Sequence, residues 1–124
     1  MSMYYIERVK HLPTQFINTL DSVMYIVVAL DDIEKVILFG SCARGTQTDH
    51  SDIDLLLIID SSKIGRPLKQ LEQENGTAIY EQFSFNGKKE VELLFADKEV
   101  YVNSTDSKSV YKRIKKEGIV LYEK

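Results

Sequence analysis

The feature that most constrains the fold of this 124-residue chain is an apolar run, IDLLLII, at residues 53–59. A strand with one face in water alternates apolar and polar side chains, whereas a strand covered on both faces is apolar almost throughout. The run therefore predicts a strand inside a sheet. Asp54 lies within the run and Asp52 comes just before it. Because an unpaired buried carboxylate is very costly, some other group must compensate these two acids.

Apolar spacing and turn residues place further elements along the first half of the chain. In chain order they are a short turn at residues 5–11, a helix with apolar residues at 16, 20, 23, 27 and 30, a strand at residues 35–39 and a helix at residues 66–74. Pro13 precedes the first helix at a position where proline is tolerated, and the 3.6-residue period identifies the helix face that is buried. Asn75-Gly76 is expected to stop the second helix.

The second half of the chain is predicted to contain a hairpin, a helix and an edge strand. Residues 77–85 and 88–95 flank Asn86-Gly87, the dipeptide best suited to a tight hairpin turn. The C-terminal elements are a helix at residues 107–117, a left-handed glycine cap at Gly118 and an edge strand at residues 119–122. This mixed order predicts an α/β (α+β) fold, a single domain over residues 1–124 with a central mixed β-sheet flanked by helices.

Composition and charge exclude several classes of function. No apolar run approaches the ~20 residues needed to cross a bilayer, and the N-terminus lacks the apolar stretch of a signal peptide, so a cytoplasmic setting is expected. The single cysteine, Cys42, excludes an internal disulfide and a cysteine-built zinc site. A net charge of −3 gives no global basic excess for nonspecific nucleic-acid binding. We interpret the basic segment KRIKK, residues 112–116, as the solvated face and end of a helix in preference to a phosphate-binding patch.

The two aspartates are candidate metal ligands. On a strand, Asp52 and Asp54 project from the same face about 7 Å apart, while residues 53 and 55 point into the core. Two adjacent carboxylates repel each other unless a cation lies between them. Hard divalent cations such as Mg²⁺ take oxygen ligands, commonly one or two carboxylates together with substrate phosphates. The plainer alternative is an acidic pair that is simply solvated at the end of a strand.

The segment just upstream is suited to hold a phosphate. Gly40 allows a tight turn and a close approach of the backbone to a ligand, and Ser41 is a good N-cap for a helix that starts at SCAR. Free amides at such a start bind anions, and Arg44 lies one turn further on, within reach of the same anion. Taken singly, these residues have plainer alternatives. Ser41 could serve only as a cap. Arg44 could serve only to pair with Asp49 or Asp52.

Together these residues form a motif with a strong resemblance to a known family. The stretch GSCARGTQTDHSDIDLLL, residues 40–57, closely resembles the nucleotidyltransferase signature G-S-x-A-R-G followed by S-D-x-D-L. That signature marks the DNA polymerase β-like superfamily, and in particular its small members, the minimal nucleotidyltransferases. The matching positions are Gly40, Ser41, Ala43, Arg44, Gly45, Ser51, Asp52, Asp54 and Leu55. The C-terminal EGIVLY is also similar to the small members, so the resemblance spans most of the chain.

The resemblance implies a nucleotidyl transfer that depends on Mg²⁺. In the family, two motif carboxylates and a third on a later strand hold two Mg²⁺ ions that bind a triphosphate, and an acceptor hydroxyl attacks the α-phosphate. Carried over, Asp52 and Asp54 become catalytic metal ligands. Glu92 is expected to be the third acid, although the family more often has Asp there. It is flanked by apolar residues that face the core, whereas Glu90, on the same face, is the alternative that would be solvated.

The resemblance also implies a substrate and a partner. Gly40, Ser41 and Arg44 are expected to hold the β- and γ-phosphates of the nucleotide, for which we expect ATP. Small members of the family often pair with a helical HEPN-type toxin, and by adding AMP to it this chain would act as an antitoxin. The alternatives are a non-catalytic antitoxin-like module that only docks, and an aminoglycoside-type transferase for small molecules. We expect no extended nucleic-acid surface and no membrane contact, and a homo-oligomer stays open.

Overall fold

The computed structural model describes residues 4–83, 87–105 and 109–124. A 3₁₀ turn, Ile6–Val9, precedes the first helix. The helices in this part of the chain are α1 (Thr14–Val27), α2 (Ser41–Arg44), α3 (Ser61–Ile64), α4 (Leu68–Gln82), α5 (Lys98–Asn103) and α6 (Val110–Glu117). The strands are β1 (Ile33–Phe39), β2 (Ile53–Ile59), β3 (Val91–Asp97) and β4 (Ile119–Glu123). None of these helices has both the length and the apolar character that a membrane span requires.

The strands of the described residues form one mixed sheet in the order β3–β2–β1–β4. β1 runs antiparallel to both β2 and β4, whereas β2 and β3 run parallel. The predicted α/β (α+β) class, with a central mixed sheet flanked by helices, is confirmed. β2 lies inside the sheet, as its apolar run predicts, and β4 is the expected edge strand.

The side chains of β2 alternate between two apolar clusters, one on each face of the sheet. Its odd-numbered residues belong to the larger cluster, which also contains the buried faces of α1 and α4. Leu56 and Ile58 belong to the smaller cluster, together with Tyr101 of α5 and Ile114 of α6. Asp54 and Leu56 are two residues apart on β2, so their side chains project from the same face of the sheet. Asp54 therefore lies on the face covered by α5 and α6, near the beginning of β2.

The predicted helix stop at Asn75-Gly76 is wrong, because α4 continues through both residues. Leu71, Asn75 and Ile79 recur at four-residue spacing and are all buried. The amide of the Asn75 side chain donates to the carbonyl of Leu71 (2.8 Å) and to Oδ2 of Asp32 (2.9 Å). Since this polar group is satisfied within the packed helix, tertiary packing overrides the local tendency of Asn-Gly to end it.

The predicted hairpin of residues 77–85 and 88–95 is also wrong. Residues 77–82 form the end of α4, and β3 pairs with β2 in parallel rather than with a preceding strand. Parallel neighbours require a crossover connection, which α3 and α4 supply. Two features of the prediction, the turn residue Asn86 and the helix start at Ser107, lie outside the described residues.

Gly118 has a different role from the predicted left-handed cap. It follows α6 with φ −69° and ψ 153°, which is extended backbone. A Cβ at this position would lie 2.5 Å from the carbonyl oxygen of Ile114 and 2.6 Å from Cγ2 of Ile37. Glycine is therefore required because the end of α6 packs directly against β1.

Candidate active site

The end of β1 and the beginning of β2 meet at one corner of the sheet, where Phe39 is the register partner of Asp54. Gly40 follows β1 with φ 76° and ψ −156°, a conformation that residues with a side chain rarely adopt. A Cβ on Gly40 would collide with Oδ2 of Asp54. Glycine thus lets the backbone turn directly against the Asp54 carboxylate.

The single-turn helix α2 begins immediately after this corner. Its N-cap is Gly40, whose carbonyl accepts hydrogen bonds from the amides of Ala43 (3.1 Å) and Arg44 (3.2 Å). The prediction that Ser41 is the N-cap is therefore wrong by one residue, and Ser41 is the first residue inside the helix. Gly45, at φ 76°, ends the helix in the left-handed region.

Glu92 of β3 is the carboxylate that the fold brings to Asp54. The two residues are register partners in the parallel β2–β3 pair, which places the Glu92 side chain close enough to raise the pKa of the Asp54 carboxyl. The apolar residues at 91, 93 and 95 belong to the larger cluster or pack against it, as predicted, which leaves Glu92 on the opposite face. Both Glu90 and Glu92 are exposed, so exposure does not separate them. Glu90 lies just before the strand, where its carbonyl accepts from the Ile53 amide (2.9 Å).

Burial, together with neighbouring negative charge, gives Asp54 an unusually high pKa for an aspartate. Burial, the hydrogen bond with Glu92, and the charges of Glu92 and Asp52 raise the pKa of Asp54 from 3.8 to about 6, whereas the Arg44 charge lowers this pKa. Below about pH 6, a proton on Asp54 therefore relieves its repulsion with Glu92. A divalent cation would relieve the same repulsion more strongly.

Asp52 lies in the loop just before β2 and is exposed. Its charge acts on Asp54, but within the described ranges no three His, Cys, Asp or Glu side chains form a group that could hold a metal ion as they stand. The structure thus brings Asp54 and Glu92 together and leaves Asp52 beside them. This donor set fits Mg²⁺, because that ion commonly uses one or two carboxylates and completes its shell with phosphate oxygens and water.

Cys42 and His50 are two further residues with reactive side chains within the motif segment. Cys42 is fully buried, and this burial together with the charge of Asp54 raises the pKa of its thiol to about 11. A thiol that stays protonated at neutral pH is a poor nucleophile. His50 is exposed in the loop, where its backbone amide donates to the hydroxyl of Thr48 (3.3 Å).

A cleft of about 350 Å³ opens beside the corner, within the size range of small-molecule sites. One side consists of the end of β1, α2 and Asp54, and the other side is a face of α6. The lining residues are Phe39, Gly40, Ser41, Arg44, Asp54, Val110, Arg113, Ile114 and Glu117. The three predicted phosphate-binding residues therefore lie around one space, and Asp54 lines the same space.

The α6 wall of the cleft was missed by the sequence analysis. Arg44 pairs with Glu117 of α6 at 3.4 Å, not with Asp49 or Asp52 as the plainer alternative suggested. Arg113, interpreted as part of a solvated face, also lines the cleft. In the sequence, the four-residue spacing of Arg113 and Glu117 indicates that they share one face of a helix. The spacing does not indicate what that face contacts.

Known proteins resemble this chain in sequence and in fold. The family described as polymerase beta, nucleotidyltransferase, matches residues 23–124. Two proteins of Methanocaldococcus jannaschii, MJ1305 and MJ0604, both provisionally named protein adenylyltransferases, are each 61% identical to this chain over 28 residues, or 23% of it. The matched segments span 19% and 28% of these relatives. A crystal structure from Sulfolobus solfataricus, provisionally described as a nucleotidyltransferase, has a similar fold: it covers 84% of this chain and 76% of its own, with a TM-score of 0.52 and 17% identity.

Proposed function

This chain belongs to the polymerase beta nucleotidyltransferase family, and we propose that it transfers AMP from ATP, with Mg²⁺, onto a hydroxyl group of a partner protein. The observation that carries this proposal is the Asp54–Glu92 pair, held in register on two parallel strands. Asp54 lines a cleft together with a glycine turn and an arginine. Phosphoryl transfer depends mainly on such positioning of charge around the phosphates.

Asp52, Asp54 and Glu92 would hold the metal ions. When bound, Mg²⁺ supplies positive charge that stabilises the attacking and leaving oxygens of the transfer. The contribution of the chain is to fix the ligands, because β2 and β3 hold Asp54 and Glu92 side by side. We assign Glu92 a second role, accepting the proton of the acceptor hydroxyl. The hydroxyl oxygen then bonds to the α-phosphorus while the bond to pyrophosphate breaks.

Gly40, Ser41 and Arg44 would bind the β- and γ-phosphates. The bare Gly40 backbone admits a close approach, and the first amides of a helix have no acceptor within that helix. In the free protein, Arg44 forms an ion pair with Glu117, and the side chains of Arg44 and Glu117 are 40% and 34% exposed, respectively. Because such an exposed ion pair is worth only ~0–1 kcal/mol, a triphosphate can take Arg44 from Glu117 at little cost.

The proposed acceptor is a protein, and this part of the proposal is supported by the relatives. Both Methanocaldococcus jannaschii proteins are named for protein adenylylation. The resemblance of the motif to minimal nucleotidyltransferases extends the proposal to a small helical HEPN-type toxin as the partner, with this chain as its antitoxin. A cytoplasmic setting belongs to the same proposal.

The test is nucleotide transfer in a lysate of the native host, with Mg²⁺ and ATP labelled at either the α- or the γ-phosphate. The wild-type protein is compared with the double variant Asp52→Asn, Asp54→Asn. Asp49→Asn is the matched control, because it removes an exposed carboxylate from the same loop and leaves the proposed metal ligands in place.

We expect a protein band that carries only the α-label, with wild type and Asp49→Asn but not with the double variant. A γ-labelled band would indicate a kinase reaction and contradict the proposal. If the double variant still neutralises a co-expressed partner as well as wild type does, the non-catalytic docking module is the correct alternative.

A further inference from the structure

The basic residues of α6 have different surroundings, although the sequence presents them as one cluster. Nζ of Lys115 donates to two carbonyls at the end of α5, at 3.2 Å each, and lies 5.0 Å from the ring centre of Tyr101. Lys115 therefore links α6 to α5 through hydrogen bonds. Arg113 instead lines the cleft, and in the ranges 4–83, 87–105 and 109–124 no ion pair holds its guanidinium.

The packing of α6 explains why Arg113 faces the cleft. Ile114 is 2% exposed and anchors the helix in the smaller apolar cluster. With Ile114 fixed, Arg113 and Glu117 lie one turn apart along the helix and both line the cleft. Glu117 contacts Arg44 at 3.4 Å, so this stretch of α6 lies close to α2 across the cleft.

One of the cations that line the cleft has no ion-pair partner among the described residues. The lining residues include two cations, Arg44 and Arg113, and two anions, Asp54 and Glu117. Glu117 is paired with Arg44, and within the described residues no ion pair joins Arg113 to Asp54 or to Glu117. Arg113 is therefore available to an anion that enters the cleft from solvent.

We propose that Arg113 binds a phosphate group of the nucleotide triphosphate from the side of the cleft opposite α2. This inference rests on the proposed function and adds a second guanidinium to its phosphate site. A guanidinium suits this task because its planar N–H donors match two phosphate oxygens at once. Arg113 would act as a binding residue that positions the triphosphate, while Asp54 and the carboxylates beside it would serve the reacting α-phosphate.

The experiment compares the dissociation constants of ATP with Mg²⁺ and of adenosine for four proteins: wild type, Arg113→Ala, Arg113→Lys and Lys112→Ala. Lys112→Ala is the matched control, because Lys112 is exposed on the same helix, carries the same charge and does not line the cleft. A general electrostatic effect would weaken ATP binding equally in both alanine variants, whereas a direct contact would affect Arg113→Ala alone. Adenosine lacks the phosphates and reports any distortion of the rest of the site.

Loss of a charge-assisted contact should weaken ATP binding about tenfold in Arg113→Ala. We expect an intermediate loss in Arg113→Lys, unchanged adenosine binding in all four proteins and unchanged ATP binding in Lys112→Ala. If Arg113→Ala binds ATP as tightly as wild type, or loses equal affinity for ATP and adenosine, the role of Arg113 is overturned. The proposed function is unaffected by either result. Failure of the wild-type protein to bind ATP with Mg²⁺ would overturn the proposed function and this inference together.

Discussion

Replacing Asp54 by Asn should stabilise the free protein at pH 8 while it abolishes nucleotide transfer. The ionised Asp54 carboxylate is disfavoured in the folded state, since burial and the neighbouring Glu92 raise its pKa from 3.8 to about 6. Asparagine has nearly the same shape but no charge, so the variant avoids this penalty. Under the proposed function, Asp54 keeps a charge that binds a metal ion, at a cost in stability.

The size of the effect follows from the pKa. Each pKa unit corresponds to about 1.4 kcal/mol, so the rise from 3.8 to about 6 corresponds to about 3 kcal/mol before screening. Because Asp54 remains partly exposed, solvent screening reduces the expected gain to about 1 kcal/mol. For a domain of this size, that gain raises the melting temperature by about 4 °C.

The sign of the pH dependence is fixed by the raised pKa. The wild-type protein holds its Asp54 proton when the unfolded chain has already lost it, so wild-type stability falls as pH rises from about 4 to about 6. The advantage of Asp54→Asn should therefore be complete above pH 7 and small near pH 4.

The assay is urea unfolding in EDTA at pH 8 and at pH 4. Asp49→Asn is the control, because an exposed substitution away from a packed site should stay within about 0.5 kcal/mol of wild type at both pH values. If Asp54→Asn is no more stable than wild type at pH 8, or if its gain is the same at pH 4, then ionisation of Asp54 does not destabilise the folded protein.

Three further predictions concern the corner, the cleft and the core. Gly40→Ala should lose about 1–3 kcal/mol in chemical unfolding, because φ 76° disfavours a side chain and the new Cβ meets Asp54; unchanged stability would contradict the close contact. Glu117→Gln should tighten ATP binding about two- to fivefold in a titration, because it releases Arg44 from an exposed ion pair; weaker binding would show that Glu117 does not compete with the nucleotide. Asn75→Ala should lose about 1–3 kcal/mol in urea unfolding, because it removes buried hydrogen bonds within and beyond α4, and it should leave ATP affinity unchanged; a loss of affinity would contradict its purely structural role.

The failed predictions have a common physical cause. Asn75-Gly76 has the local chemistry of a turn, yet α4 continues because Asn75 finds partners in the packed structure. Gly118 has the position of a helix cap, yet a side chain there would meet both the Ile114 carbonyl of α6 and Ile37 on a distant strand. In both cases a contact between separate elements overrides a tendency of a few adjacent residues.

Local sequence patterns predicted the interior position of β2 and the tight turn at Gly40, and the motif of residues 40–57 indicated the family. These features depend on residues a few positions apart, whose spacing along a strand or turn is fixed by backbone geometry. The hydrophobic pattern alone also placed Glu92 on the face away from the larger cluster.

Only the tertiary structure decided which carboxylate meets Asp54 and what faces Arg44. The pairing of Asp54 with Glu92 requires the parallel register of β2 and β3, which a sequence pattern suggesting a hairpin did not reveal. The placement of Arg113 and Glu117 across the cleft requires α6 to dock on the sheet through Ile114. Such contacts join residues far apart in the chain, and they are selected by the packing of the whole core, which local spacing does not encode.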